Sequence, residues 1–428
     1  MRPGLRSAAA VAALAVAATA CGGDSDGDVV ELRFSWWGAD ERHTTTQEVI
    51  DRFEAAHPNI RITGEYTDWD AYWDRLATST AANDAPDIIT QEERYLREYA
   101  DRGALLDLTE YGEQLDLGEI DELALHGGQL EEGTFGVATG VNAMAVYADP
   151  TAFEEAGVEM PDDTTWTWDD YISTAEQISE ATDGEVFGTQ AMGVTEGPFQ
   201  IFARQRGESL YNEDGGIGFS AATMEEWWEL VYRMHEDGAA PSAAESVEID
   251  AGGPDLSVVA TNSGAMAHFW TNQFGAISNT AGRDLELLRY PGETEGERTG
   301  VFLKPAMFYS VSAGTEHPEE AAMFVDYLLN DVEAAELILA DRGLPANTRI
   351  RDEIRDALPE ADAETADFID EVTPDVVDPV AVPPIGAGEA VDITKRINEE
   401  VMFGRLTPAE AAEQWISEME TATGGDAS

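Results

Sequence analysis

The segment from Val30 to Thr90 narrows most what this chain can fold into, because strand and helix periodicities alternate along it without a break. Val30-Glu31-Leu32-Arg33-Phe34-Ser35-Trp36 alternates apolar and polar residues with the period of a strand. Val49, Ile50, Phe53 and Ala56 then share one helical face behind a capping box read at Thr45 and Glu48, and His57-Pro58-Asn59 stops that helix. Ile60, Ile62 and Tyr66 mark a second strand, Trp69, Tyr72, Trp73 and Leu76 a second helical stripe, and Asp87-Ile88-Ile89-Thr90 a short buried strand. Such a βαβαβ run predicts an α/β fold with a mainly parallel sheet flanked by helices, in which ligands sit beyond the carboxyl ends of the strands.

Further along, paired strands are expected around Phe135 to Thr139 and Ala143 to Tyr147. Helices follow over Asp169–Ile178, Ala221–His235 and Pro318–Leu329, and Pro374–Gly388 reads as a loop. The last helix is signalled by Thr407, Pro408 and Glu410, with Ala411, Trp415, Ile416 and Met419 facing the core. A chain of 428 residues has room for about two to four compact units.

The N-terminus reads as a targeting segment. Arg2 and Arg6 precede an apolar run from Ala8 to Ala20 that is too short to span a bilayer. Cys21, the one cysteine, follows it and resembles the lipid-attachment cysteine of a bacterial lipoprotein, although Ala18 stands where such signals usually carry Leu. Residues 1–21 are thus expected as a leader with the lipidation site and 22–28 as a tether, which places the rest outside the cell membrane, held by lipid. With no second cysteine, intramolecular disulfides are excluded.

Charge removes a further class. Lys+Arg 24 against Asp+Glu 86 gives a net −62, and Lys304 and Lys395 are the only lysines, so no basic stripe exists to hold nucleic acid. An acidic surface with Arg in place of Lys is read as adaptation to salt, which screens like charges beyond about 8 Å at physiological ionic strength.

The family signal lies in the order of many short stretches. They begin with Trp36-Trp37-Gly38, Arg42-His43, FEAAHPNIRITGEYTDWDAYWDRL and APDIITQEERYLREYADRGALLDL. GVATGVNAMAVYADPTAFEEAGV, TWTWDDY, GAMAHFW, KPAMFYSVSAGTEHPEEAAMFVDYLL and RGLPANTRI follow. Between about Val30 and Ile350 the chain resembles family 1 extracellular solute-binding proteins of ABC importers, of the maltose-binding-like carbohydrate branch. The resemblance implies a two-lobed, type II periplasmic-binding fold whose chain crosses a hinge three times, near Gly140, Tyr309 and Asp341. It places residues 29–140 and 309–340 in one lobe and 141–308 and 341–428 in the other. It also implies a sugar held between the lobes, permease subunits as partners, a monomer, no cofactor and no metal.

A sugar offers a flat C–H face to an aromatic ring and a rim of hydroxyls to carboxylates, amides or Arg. Trp227, Trp228, Trp415 and Trp73 fall on helical core stripes, and Trp166 and Trp168 dock a helix start, which leaves Trp36, Trp37, Trp69 and Trp270 for ligand. Trp36 and Trp37 point to opposite faces of their strand, so one is expected at ligand and the other in the core. Asp70 beside Trp69, Asn272 beside Trp270, and Gln91 with Glu92 after the third strand are the expected hydroxyl partners. Asn142, Arg204, Met307 and Phe308 are added by the resemblance. Arg42, in a WWGxxxRH pattern, could with Arg204 and Lys304 fork a uronate carboxylate, so a uronate-oligosaccharide ligand stands beside a neutral one.

A secreted glycosidase is the competing class, with Asp68, Asp70 and Glu92 as acid and base, but 86 acidic residues make such pairs common by chance. No HExxH, GxSxG or GxxxxGK[ST] occurs, and the histidines show no metal-ligand spacing. Asn212-Glu213-Asp214-Gly215 reads as a turn, not a calcium loop. A receptor for peptides, polyamines or iron would need a cleft built for charge.

Overall fold

The computed structural model describes residues 29–130 and 133–424, so the leader, Cys21 and the tether lie outside the described residues. The alternating run forms as expected: β1 (Val30–Trp37), α1 (Asp40–Ala56), β2 (Ile60–Thr67), α2 (Trp69–Ala81), β3 (Ile88–Gln91) and α3 (Glu93–Asp101). β1 lies between β2 and β3 and parallel to both. Strand Phe308–Val311 adds antiparallel to β3, and Val137–Ala138 closes the five-stranded sheet antiparallel to it. Both faces are covered. Leu32, Phe34 and Trp36 point into a core with Val49, Ile50, Phe53 and Phe324, while on the other face the Tyr72 hydroxyl donates to the Thr90 carbonyl at 2.6 Å.

α1 departs from the sequence reading. It starts at Asp40, so the capping box read at Thr45 and Glu48 does not form. Asp40 and Glu41 place negative charge at the positive end of the helix dipole instead. The Thr44 and Thr46 hydroxyls, now inside the helix, donate back to the carbonyls of Asp40 and Arg42 at 2.8 and 2.7 Å.

The second sheet is antiparallel, which corrects the expectation of a mainly parallel sheet in each half. Met144–Ala148 runs between Met266–Trp270 and Glu286–Leu288, antiparallel to both. The reason is topological: Met144–Ala148 leads away from the first sheet, and Met266–Trp270 returns, so that Trp270 ends opposite Met144. Met144, Val146 and Met266 face a core that includes Trp227, Trp228 and Trp415. Trp166 and Trp168 are buried against Tyr171, as expected of residues docking a helix start. Thr407 and Glu410 form the expected capping box of the last helix, Pro408–Ala422. No helix among the described residues is long and apolar enough to cross a membrane.

Between the two sheets lies a third, small one: Gly140–Asn142 between Lys304–Pro305 and Leu344–Pro345, all antiparallel. Three separate passages of the chain are thus stitched side by side. Arg342, 3% exposed, pins the third passage to the first sheet's layer through the hydroxyls of Tyr309 and Thr46. Arg42 adds a second clamp, with Nε on Asp341 Oδ2 and Nη2 on the Asp341 carbonyl, both at 2.8 Å. The backbones meet so closely that a Cβ on Gly140 would stand 2.6 Å from the Gly343 carbonyl carbon and 2.7 Å from the Arg342 oxygen. Backbone cannot swing aside as a flexible side chain can. Gly140→Ala is therefore expected to destabilise the protein by about 1–3 kcal/mol, the usual range for overpacking, read as a lowered midpoint in thermal unfolding.

Candidate functional site

The site begins where β3 runs into α3. Glu92 caps that helix, its carboxylate accepting from the Arg94 amide at 2.9 Å. The same carboxylate pairs with the Arg94 guanidinium at 2.9 Å. Lys304, on the strand opposite Asn142, places its ammonium 2.8 Å from Glu93 and 3.7 Å from Glu92. Burial alone would push the Glu92 carboxyl up, but Lys304 and Arg94 more than offset it and hold it below the usual carboxylate range. Glu93 goes the other way, because its burial, reinforced by Glu92, exceeds the pull of Lys304. For Lys304 burial works against the charge, and the two carboxylates win and raise it, so the ammonium persists.

Across from these groups stand Thr195, Glu196 and Gln200 at the start of helix Glu196–Gln205, with Tyr211, Trp270 and Phe302. Together they enclose a cavity of about 290 Å³ with Glu93, Arg94 and Lys304. That is near the lower end of the roughly 300–1,000 Å³ of small-molecule pockets. The Lys304 ammonium sits 5.3 Å from the centre of the Trp270 ring, whose edge-on neighbour is Phe302 at 5.8 Å. Trp270 also walls a second cavity of about 280 Å³, shared with Thr195 and extending past Met144, Met192 and Gln273 to His268. His268 Nε2 lies 2.6 Å from the Tyr171 hydroxyl, its Nδ1 is buried with no hydrogen-bond partner among the described residues, and burial pushes the imidazole down to about 3.

The residues expected from sequence divide. Trp270 lines both cavities, and Glu92 supports the site through Lys304 and Arg94. Trp37 and Trp69 stand at the carboxyl ends of β1 and β2, ring centres 4.9 Å apart and perpendicular, within a cluster that includes Trp73 and Tyr95 and lies beside the enclosed cavity rather than in it. Trp36 is the core member of its pair, 1% exposed and stacked near His43 and Tyr66. Gln91 is fully buried, and neither amide atom finds a hydrogen-bond partner among the described residues. Asn142 is buried in the small sheet, and Met307 and Phe308 are buried in and beside the strand next to β3. Asn272 is exposed on a 3-10 turn outside both cavities. The side chain of Asp70 lies outside the described residues.

Two expected cations are placed elsewhere. Arg204 is 1% exposed and bonded to the Gly300 carbonyl at 3.1 Å and to Asp378 at 2.7 Å. Arg42 is held by Asp341. A convergence of Arg42, Arg204 and Lys304 therefore does not occur, because the first two are spent on the chain's own carboxylates. Conversely, the sequence reading missed Glu93, Arg94, Glu196, Tyr211 and Phe302. Glu93 and Arg94 were within reach, being the next residues after a junction already singled out.

The chain matches the bacterial extracellular solute-binding protein family over residues 48–366. It is 28% identical over 195 residues to a binding protein of Brucella abortus, a match that takes in 45% of this chain and spans about half (46%) of that relative's length. It is 24% identical to the diacetylchitobiose binding protein DasA of Streptomyces coelicolor, over 86% of this chain and 87% of that one. A lipoprotein of the oleD 5′ region of Streptomyces antibioticus is 26% identical, over 82% and 77%. Among solved structures, an extracellular solute-binding protein family 1 from Alicyclobacillus acidocaldarius superposes with a TM-score of 0.77 at 25% identity, over 93% of this chain and 99% of that one. A periplasmic oligogalacturonide binding protein from Yersinia enterocolitica gives 0.79 at 23%, over 92% and 100%, and shares the fold.

The neutral, half-buried His268 makes a pH prediction. Its folded pKa of about 3 lies below the ordinary 6.5, so between those values the unfolded chain binds a proton that the folded one refuses. Its contribution is complete above 6.5 and is lost as pH falls through that window. In thermal unfolding, His268→Asn should lose less stability than the wild type on going from about pH 7 to about pH 5; equal losses would contradict this assignment.

Proposed function

Since the chain belongs to the bacterial extracellular solute-binding proteins, we propose that it is a non-catalytic receptor. It captures a saccharide in the crevice between two lobes and presents it to the permease subunits of an ABC importer. The lobes are residues 29–140 with 309–340 and 141–308 with 341–428, joined through the small three-stranded sheet. One observation carries the reading: Trp270, at the carboxyl end of its strand, stands between two adjoining cavities of the second lobe, and Glu93 and Arg94 of the first lobe close the first of them. A ring wall flanked by carboxylates, an amide and a phenol suits a ligand with flat C–H faces and a hydroxyl rim. The two compartments favour more than one sugar ring. DasA, named for a disaccharide, points the same way.

Closure of the lobes on ligand is part of the proposal. From α3 of the first lobe, Arg97 donates to the carbonyls of Val382 and Pro383 in the second, at 3.1 and 3.2 Å. The latch is proposed to form only when the crevice is shut, so that ligand and latch favour the same state. A neutral saccharide is favoured over a uronate, because Lys304 is the only one of the three cations expected at the ligand that lines the cavity. Two of the three carboxylates suggested for a glycosidase have structural work: Asp68 caps α2 and Glu92 caps α3. Anchoring by lipid on Cys21 rests on the leader reading and on the relative named as a lipoprotein.

Calorimetry against a panel of neutral and acidic saccharides tests the reading. One saccharide should bind 1:1 and be recovered intact, and its cleavage would revive the glycosidase. Trp270→Ala should weaken that binding by about 10- to 100-fold, the loss of a stacking face plus its buried area. Scattering on Arg97→Ala with saturating saccharide should give a larger radius of gyration than the liganded wild type, and an unchanged radius would count against the latch.

A further inference from the structure

Glu196 is the group in the crevice that the chain itself leaves unanswered. Its Oε2 is buried and finds no hydrogen-bond partner among the described residues, yet the side chain lines the 290 Å³ cavity. The cations nearby are already taken. Lys304 lies 2.8 Å from Glu93 and 3.7 Å from Glu92, and Arg94 lies 2.9 Å from Glu92. Glu93 and Glu196 line this space with Lys304 and Arg94, and Glu92 lies behind them against both cations, so three carboxylates share two cations. An acidic ligand would have to break one of those ion pairs or lie desolvated beside Glu196. A ligand with an O–H or N–H completes it. Tyr211 adds a donor of its own, since burial, then Glu196 and Glu93, hold its phenol protonated.

We infer that Glu196 is the specificity-determining acceptor of the crevice, and that the site selects saccharides by the donors and positive charge they bring. An amine-bearing sugar is preferred to the same sugar carrying a carboxylate. The inference rests on the saccharide reading above and narrows it.

The test is titration calorimetry of the protein with two matched series. One is the β-1,4-linked disaccharides of glucosamine, glucose and glucuronate; the other is the α-1,4-linked disaccharides of galactosamine, galactose and galacturonate. Within the series that binds, the amine should bind at least about tenfold more tightly than the uronate, the ratio one charge-assisted hydrogen bond supports. Glu196→Gln, which keeps size and hydrogen bonding but removes the charge, should shrink that ratio by about tenfold. The wild-type ranking carries the test alone if the variant folds poorly. A uronate that binds as tightly as the amine, or a ratio unchanged in a folded Glu196→Gln, overturns the inference and leaves the saccharide reading standing. Binding by no member of either series overturns both.

Discussion

The crevice is organised around one ammonium. Lys304 lies on a strand of the small sheet that joins the halves, reaches Glu92 and Glu93 at the first half's β3–α3 junction, and stands over the Trp270 ring of the second. Partly withdrawn from water, that charge persists because two carboxylates offset its desolvation, and Glu92 is in turn held below the usual carboxylate range by the ammonium together with Arg94. Position and charge are thus mutually dependent. The strand register that sets Lys304 opposite Asn142 fixes where α3 must begin and where the ring wall must stand.

Scarcity of cations explains the rest of the electrostatic arrangement. Against 86 acidic residues there are 24 Lys and Arg, and the structure spends buried ones on holding distant segments together. Arg204 and Arg298 share Asp378, Arg289 reaches Glu371 and the Asp163 carboxylate, and Arg42 and Arg342 fasten the third passage of the chain. Where carboxylates abound, an arginine is more valuable as a tie between elements than as a ligand contact. Geometry bears this out for Arg42 and Arg204.

The same fact marks what could be read from the sequence. Strands and helices were legible because burial of one face writes a period of 2 or 3.6 into the residues. Trp227, Trp228 and Trp415 lie in the core their helical spacing implied. Trp270 was recognisable from its place at the end of an apolar strand before a polar turn. Glu196, Tyr211 and Phe302 carried no such mark. They lie beyond the first passage of the chain through the junction and meet Glu93 only when the two halves come together, and no local pattern records that meeting. The antiparallel second sheet was hidden for a related reason, because strand direction depends on where the chain enters a layer, not on the alternation within each strand.

The Arg97 contact between the halves differs in kind from those ties. Arg97 donates to two main-chain carbonyls, not to side-chain carboxylates. Mobile ions shorten the reach of charge–charge attraction to about 3 Å at 1 M salt, but they compete poorly for a donor seated directly on a carbonyl. A carbonyl also cannot be protonated at any pH the protein would meet, nor be lost to a substitution of its own side chain. The Arg97 contacts therefore change little between fresh water and brine, whereas the Lys304 ion pairs beside them and the acidic surface around them answer to the medium.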